Sequence, residues 1–249
     1  MAGVLAALAR PSLADTPILR LQGSTTFNSE LMKEHLRDIE AAAGVSITVV
    51  ANKSSLGLMA LFEGEADLAM ISTRLANEIG VLKRAKPGLA LDRLLDFEVA
   101  RTRAALIVHP GNPVRAIGDD GLRRILLGEA TSWLEFGGPD LPIRIVAVRE
   151  GGGVVATVEA ALLGPGGHIA APDQIRVQIG SQIVRVVEQE SNALGITQVK
   201  LVLGRQVREL ETTHPLEQLL FLVSLGEPTP AMRAVIDACR AAAGLMGQR

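Results

Sequence analysis

Three apolar runs in the first third of the chain each end in side chains bearing hydroxyl groups. Ser24-Thr25-Thr26 follows Ile18 to Leu21, Ser54-Ser55 follows Val45 to Ala51, and Ser72-Thr73 follows Leu68 to Ile71. The runs read as short strands, and Gly23 permits a sharp turn before a helical pattern that begins near Asn28. A strand that ends in small hydroxyl residues at a helix N-terminus is an anion site in waiting. The first helical N–H groups lack partners, and the positive end of the helix dipole points the same way. One such turn is ordinary capping, with Thr26 or Asn28 as the cap. Three in succession constrain the fold. In a parallel α/β sheet the strand ends lie side by side along one edge, where ligands bind.

A fourth strand–turn–helix lies further along. The run Ile143 to Val148 leads into Arg149-Glu150-Gly151-Gly152-Gly153 and then the helical pattern Val154 to Leu163. Arg149 brings a planar fork of donors suited to an oxyanion, and the glycines allow close backbone approach. The competing reading is a solvated Arg149–Glu150 pair beside a flexible turn.

The remaining elements follow from periodicity. Ser29 to Ala43 fits an amphipathic helix stopped by Gly44, and a short helical run covers Leu58 to Glu63. Arg84 to Asp96 is polar and irregular, whereas Val99 to His109 is a long apolar stretch suited to a crossing between lobes. Asp119 to Leu127 reads as a helix and Trp133 to Pro142 as a loop. Ile175 to Ile179 and Leu194 to Val199 are strands around a helix Gln182 to Glu190 capped by Ser181. From about Leu201 the chain is expected to return to its first lobe. A strand Leu219 to Leu225 and a closing helix Thr229 to Ala243, with Pro230 in its first turn, complete it.

Composition narrows the function. At 249 residues with 48% hydrophobic content the chain can bury a large core. A net charge of −2 and no long basic run leave nothing to attract nucleic acid. Aromatic residues are 2% with no Tyr, which argues against sugar or base stacking. Cys239 is the single cysteine, and the four histidines (His35, His109, His168, His214) have no metal-ligand spacing, so neither a metal nor a cofactor is expected. Residues 1–14 read as the remnant of a secretory signal without its basic start, or as a plain frayed terminus.

In chain order, Gly23-Ser24-Thr25-Thr26-Phe27, Ser54-Ser55-Leu56-Gly57 and Gly64-Glu65-Ala66-Asp67-Leu68-Ala69-Met70 resemble the phosphate-binding proteins of ABC transporters. His109-Pro110-Gly111-Asn112-Pro113, Gly137-Gly138-Pro139-Asp140, Arg149-Glu150-Gly151-Gly152 and Gly226-Glu227-Pro228-Thr229-Pro230 continue the match to about residue 244. The resemblance implies an α/β, two-lobed type II periplasmic binding protein fold. Each lobe is a mostly parallel sheet flanked by helices, and two segments cross between them. The expected boundaries are 15–103 with 206–249 for the first lobe and 104–205 for the second.

The same resemblance nominates Ser24, Thr25, Thr26, Ser54, Ser55, Ser72, Arg149, Gly152 and Gly153 as ligand-binding residues. It implies an extracytoplasmic monomer, periplasmic or extracellular, that holds phosphate or a similar small inorganic anion and delivers it to ABC-transporter membrane subunits. Two departures bear on the ligand. Ser72 stands where phosphate binders often carry a proton-accepting acid, and Gly151 to Val155 reads Gly-Gly-Gly-Val-Val in place of a loop with two hydroxyl donors. Losing two charge-assisted hydrogen bonds, at about 1.5–3 kcal/mol each, weakens binding by several hundred-fold or more. Arg74 is a candidate compensating cation. A site without the proton-accepting acid is also expected to select less well against sulfate.

A diverged sensor or interaction subunit, which keeps the fold without tight anion binding, is the alternative. An enzyme is not expected, because no Ser-His-Asp order stands out and the histidines avoid the motif turns.

Overall fold

The computed structural model describes residues 16–149, 153–164 and 166–246. Residues 1–14 and Gly152 lie outside them. β1 (Ile18–Ser24) buries Leu19 and Leu21 and pairs in parallel with both β2 (Ser46–Asn52) and β3 (Leu68–Ile71). β4 (Leu94–Val108) is a 15-residue strand that serves two sheets. Its residues Leu94 to Arg103 pair antiparallel with β9 (Glu217–Leu225), and Ala104 to Val108 pair antiparallel with β7 (Ala193–Gln198). β7 in turn pairs in parallel with β5 (Arg144–Val148), and β5 with β6 (Gln174–Val177). The full order is β2-β1-β3-β9-β4-β7-β5-β6.

The two halves therefore repeat one plan. In each, three parallel strands linked by helices are joined by one antiparallel strand belonging to a segment that crosses between the halves: β9 in the first, the end of β4 in the second. The cores divide the same way. Two apolar clusters draw on residues between Leu19 and Val99–Ala100 and between Leu219 and Ala242, around Leu21, Phe27, Leu68 and Leu220. Two others draw on residues between Ala104 and Leu216, around Trp133, Ile145 and Val187. β8 (Arg208–Glu209) pairs with Ile107 and Val108 at the end of β4, so the chain is still bonded to the second sheet there, and β9 begins at Glu217.

Several helices differ in detail from their periodicity. The first begins at Thr25, three residues before Asn28. α1 (Thr25–Phe27), a π-helical turn (Asn28–Met32) and α2 (Lys33–Ala43) run on as one helix. α3 (Ser54–Glu63) takes in the hydroxyl turn that precedes its apolar face. α4 (Leu75–Ala85) follows the third strand end directly, despite Gly80 in its interior. α5 (Asp119–Leu127) matches its periodicity. α6 (Gly153–Leu162) follows β5. α7 (Gly180–Gln189) starts before Ser181, which lies inside its first turn. The Gln182 side-chain oxygen accepts the Gln178 and Ile179 N–H groups at 2.9 and 3.2 Å in place of a serine cap. α8 (Pro230–Met246) opens on Pro230, whose missing N–H costs nothing at a first helical position.

Candidate anion site at the strand ends

The register places the first three turns together. Ser24 lies beside Asn52, and Gly23 lies beside Ala51 on one flank and Met70 on the other. Gly23 has φ +132°, and a Cβ there would meet the Met70 carbonyl oxygen at 2.2 Å, so only glycine fits between the two strands. Ser24, not Thr26 or Asn28, caps the first helix. Its Oγ accepts the Phe27 N–H at 3.2 Å and its hydroxyl donates to Ser72 Oγ at 2.8 Å. Ser24 and Ser72 are both buried, and the Ser72 hydroxyl proton is left for another acceptor.

Thr26 is buried and Thr25 exposed at the start of the helix. Ser54 is buried and Ser55 partly buried at the start of α3, whose cap position, Lys53, supplies no side-chain acceptor. The first N–H groups of α3 therefore lack a side-chain cap, as an anion site requires.

The second lobe reaches this edge through Gly153. A Cβ on Gly153 would lie 2.0 Å from Ser72 Oγ and 3.0 Å from Gln218 Nε2. The N-terminus of α6 thus sits against the Ser24–Ser72 pair with no room for a methyl group. Arg149 is exposed at the end of β5, where its backbone N–H donates to the Val177 carbonyl at 2.9 Å. Among the described residues no hydrogen bond joins its guanidinium to Ser24 or Ser72. Val154 and Val155, which cannot replace the missing hydroxyls, are buried in the second-lobe core and serve packing. Arg74 is exposed at the start of α4, where Thr73 Oγ1 donates to Glu78 Oε1 at 2.9 Å.

The crossing strands form a floor that periodicity did not reveal. Gln218 of β9 is 1% exposed and donates from Nε2 to the Ser72 carbonyl at 3.2 Å. Its cross-strand partner Thr102 approaches Glu30 Oε2 at 3.4 Å. Glu30, in the π-helical turn, is buried, and burial pushes its carboxyl above the usual carboxylate range against the opposing pull of Lys200 and Thr102. Lys200, just past β7, crosses from the second lobe to the Ser29 carbonyl, to Glu30 Oε2 at 3.8 Å and to Glu34 Oε1 at 3.4 Å. A surface cavity of about 500 Å³ beside the return segment, lined by Arg103, Glu209, Leu210, Glu211, Thr212 and Pro215, is separate from this cluster.

Two parallel-stranded lobes joined by crossing strands, with helix N-termini at the strand ends, make the type II periplasmic binding fold. Among the described residues no group of His, Cys, Asp and Glu is placed to hold a metal, and no helix is long and apolar enough to cross a membrane. The family model described as a PBP superfamily domain matches residues 10–221, and the chain belongs to that superfamily. It is 29% identical over 139 residues to the phosphate-binding protein PstS of Bacillus subtilis (strain 168), covering 56% of this chain and 44% of that protein. To PstS of Borreliella burgdorferi it is 27% identical over 146 residues, covering 59% and 49%. The matched stretch thus spans less than half the length of either curated relative. An ABC-type phosphate transport receptor from Vibrio cholerae superposes with a TM-score of 0.75 at 20% identity, covering 92% of this chain and 97% of the other.

Proposed function

We propose that this chain is an extracytoplasmic receptor that holds phosphate or a similar small oxyanion between its lobes for an ABC transporter. The observation that carries the reading is the Ser24–Ser72–Gly153 junction. There, two hydroxyls of the first lobe meet the N-terminus of α6 in the second with no space for a side chain. Thr25, Thr26, Ser54, Ser55, Ser72, Arg149, Gly152 and Gly153 supply donors to the anion, and Ser24, whose hydroxyl donates to Ser72, belongs to the site by orienting that hydroxyl. Binding needs no chemistry: hydroxyls, backbone N–H groups and a guanidinium converging on one oxyanion suffice. The similarity to phosphate-binding proteins and to a phosphate transport receptor supports phosphate as cargo, a transporter as membrane partner and an extracytoplasmic location, and it does not favour a sensor subunit.

A thermal-shift screen of residues 15–249 against phosphate, sulfate, molybdate and tungstate tests the reading. An anion at about a hundred times its dissociation constant adds roughly 2.7 kcal/mol of stability, and Arg149→Ala is expected to abolish the shift. A flat response to all four anions would overturn the receptor reading.

A further inference from the structure

We infer that Lys53 and Arg74 speed the capture of the anion: they form an unpaired cationic rim at the strand ends, which draws a negatively charged ligand in before any donor grips it. The inference rests on the oxyanion reading above and concerns how that same site is loaded.

Both residues stand just past strands whose ends share one edge. Lys53 directly follows Asn52, which lies beside Ser24 in the parallel register of β1 and β2. Arg74 comes two residues after Ser72, at the end of β3. β1 runs between β2 and β3, so the two strand ends are two spacings apart, about 10 Å, with the Ser24 turn in the gap. Lys53 and Arg74 are exposed, as is Arg149 past the end of β5 in the second lobe.

Helix chemistry disfavours a cation at either position. Lys53 and Arg74 are the N-cap residues of α3 and α4, beside the positive end of each helix dipole, where carboxylates and small hydroxyls stabilise. Their extended backbones (φ −117°, ψ 149° and φ −64°, ψ 140°) would admit such a cap, yet neither side chain makes a capping hydrogen bond. Elsewhere the chain follows the rule: α5 opens on Asp119 and Asp120, and α4 closes on Lys83 and Arg84. The ion pair that joins α3 to α4, Lys86 to Glu63 at 3.5 Å, lies at the C-terminal ends of both helices, and among the described residues neither Lys53 nor Arg74 makes one. Glu78, in the first turn of α4, accepts from Thr73 Oγ1 at 2.9 Å instead, and burial pushes its carboxyl toward the neutral form. Two like charges are thus kept, without a neutralising partner, where an incoming anion relieves them.

Long-range attraction needs no contact. The screening length at physiological salt is about 8 Å, so an anion entering the roughly 10 Å gap between the strand ends lies within reach of both charges. Exposed charges at the rim of a site act on the association rate and on its salt dependence, and little on the dissociation rate.

The test follows the loading of the full chain with a radiolabelled anion, phosphate first and then sulfate, molybdate and tungstate in turn until one binds. Rapid filtration gives the dissociation rate, equilibrium titration gives Kd, and the two together give the association rate. Lys53→Gln combined with Arg74→Gln is expected to lower the association rate at low salt by about five- to thirty-fold, with the dissociation rate within about two-fold of the wild type. Raising the ionic strength from about 0.01 M to 1 M shortens the screening length from about 30 Å to 3 Å, which is expected to slow the wild type and leave the rim variant nearly level. Lys83→Gln combined with Arg84→Gln removes the same net charge from the far end of α4, roughly 15 Å from Arg74, and is expected to change neither rate by more than about two-fold. The rim variant is also expected to melt no lower than the wild type, since it takes repulsion away from two helix ends, and a lower melting temperature would count against the inference. An unchanged association rate and salt slope, an equal fall in both variants, or a faster dissociation in place of slower association would overturn it and leave the oxyanion reading standing. Failure of all four anions to bind the wild type would overturn both.

Discussion

At residue 153 a single methyl group separates contact from collision, since it would stand 2.0 Å from Ser72 Oγ. On the receptor reading proposed above, lobes that part when empty relieve that clash, so Gly153→Ala is expected to leave the melting temperature of the anion-free protein nearly unchanged. Closure then carries the overpacking strain of about 1–3 kcal/mol, which weakens phosphate by roughly five- to 150-fold in a titration. An unaltered affinity would mean that the lobes do not close on this contact. Cys239 makes a different point about single residues. It is buried among first-lobe apolar residues, and burial pushes its thiol up to about 12. The thiolate is the reactive form, so at pH 8 a disulfide reagent is expected to label Cys239 only as fast as the chain unfolds, and at once in concentrated guanidinium. Rapid labelling of the native protein would show that α8 opens locally.

Between elements, the contact with the clearest consequence is the reach of Lys200 from the end of β7 to the π-helical turn. Lys200→Met leaves the buried Glu30 carboxylate without its cation, at a cost of about 1–3 kcal/mol near pH 7. The carboxyl of Glu30 is already held above its ordinary value, which it has in the unfolded chain. The folded state thus favours the protonated form, and the cost of the missing cation is full above the folded pKa and shrinks as pH falls through it. Denaturant unfolding of Lys200→Met at pH 8 and pH 4.5 is expected to show that narrowing, and Glu30→Gln added to Lys200→Met is expected to recover most of the loss. Asp67 behaves in the opposite sense. The Arg20 side chain, bonded at 2.8 and 3.2 Å, holds its carboxyl below the ordinary range. Its contribution is present above about pH 4 and is lost as pH falls through the lowered folded value. Asp67→Asn is therefore expected to cost under about 1 kcal/mol at pH 7 and nothing in strong acid, read from unfolding curves at both. Elements of this kind differ in how far the sequence announces them. β1, β2, β3 and α5 are legible because alternation, β-branching and helical spacing are local properties, and the positions of Ser24 at the end of β1, Ser54 at the start of α3 and Ser72 just after β3 follow from those elements. α4 is masked by an interior glycine and the lack of a side-chain cap at Arg74. Gln218 and Lys200 carry no local signal. Their partners Ser72 and Ser29 lie 146 and 171 positions away, and only the crossing of β4 and β9 brings them together.

On the scale of the whole molecule, that crossing divides one chain into units of unequal autonomy. The second-lobe cores are drawn from a continuous stretch, Ala104 to Leu216, which contains β5, β6, β7 and the end of β4. The first-lobe cores need two distant stretches. β9 and α8 are supplied only after the second lobe is complete, and Leu220, Leu222, Val235 and Cys239 pack against Leu21, Leu31 and Leu68. We place the lobe boundaries accordingly, near residues 103 and 217. A fragment of residues 104–216 keeps both of its core clusters and is expected to fold by itself with a cooperative thermal transition. A fragment of residues 16–103 leaves β3 without its β9 partner and its helices without α8, an open apolar edge that favours aggregation over folding. Circular dichroism and gel filtration of the two fragments distinguish these fates. If 16–103 folded cooperatively and 104–216 did not, stability would flow from the first three strands outward, and the crossing strands would be guests of the first lobe rather than its missing half.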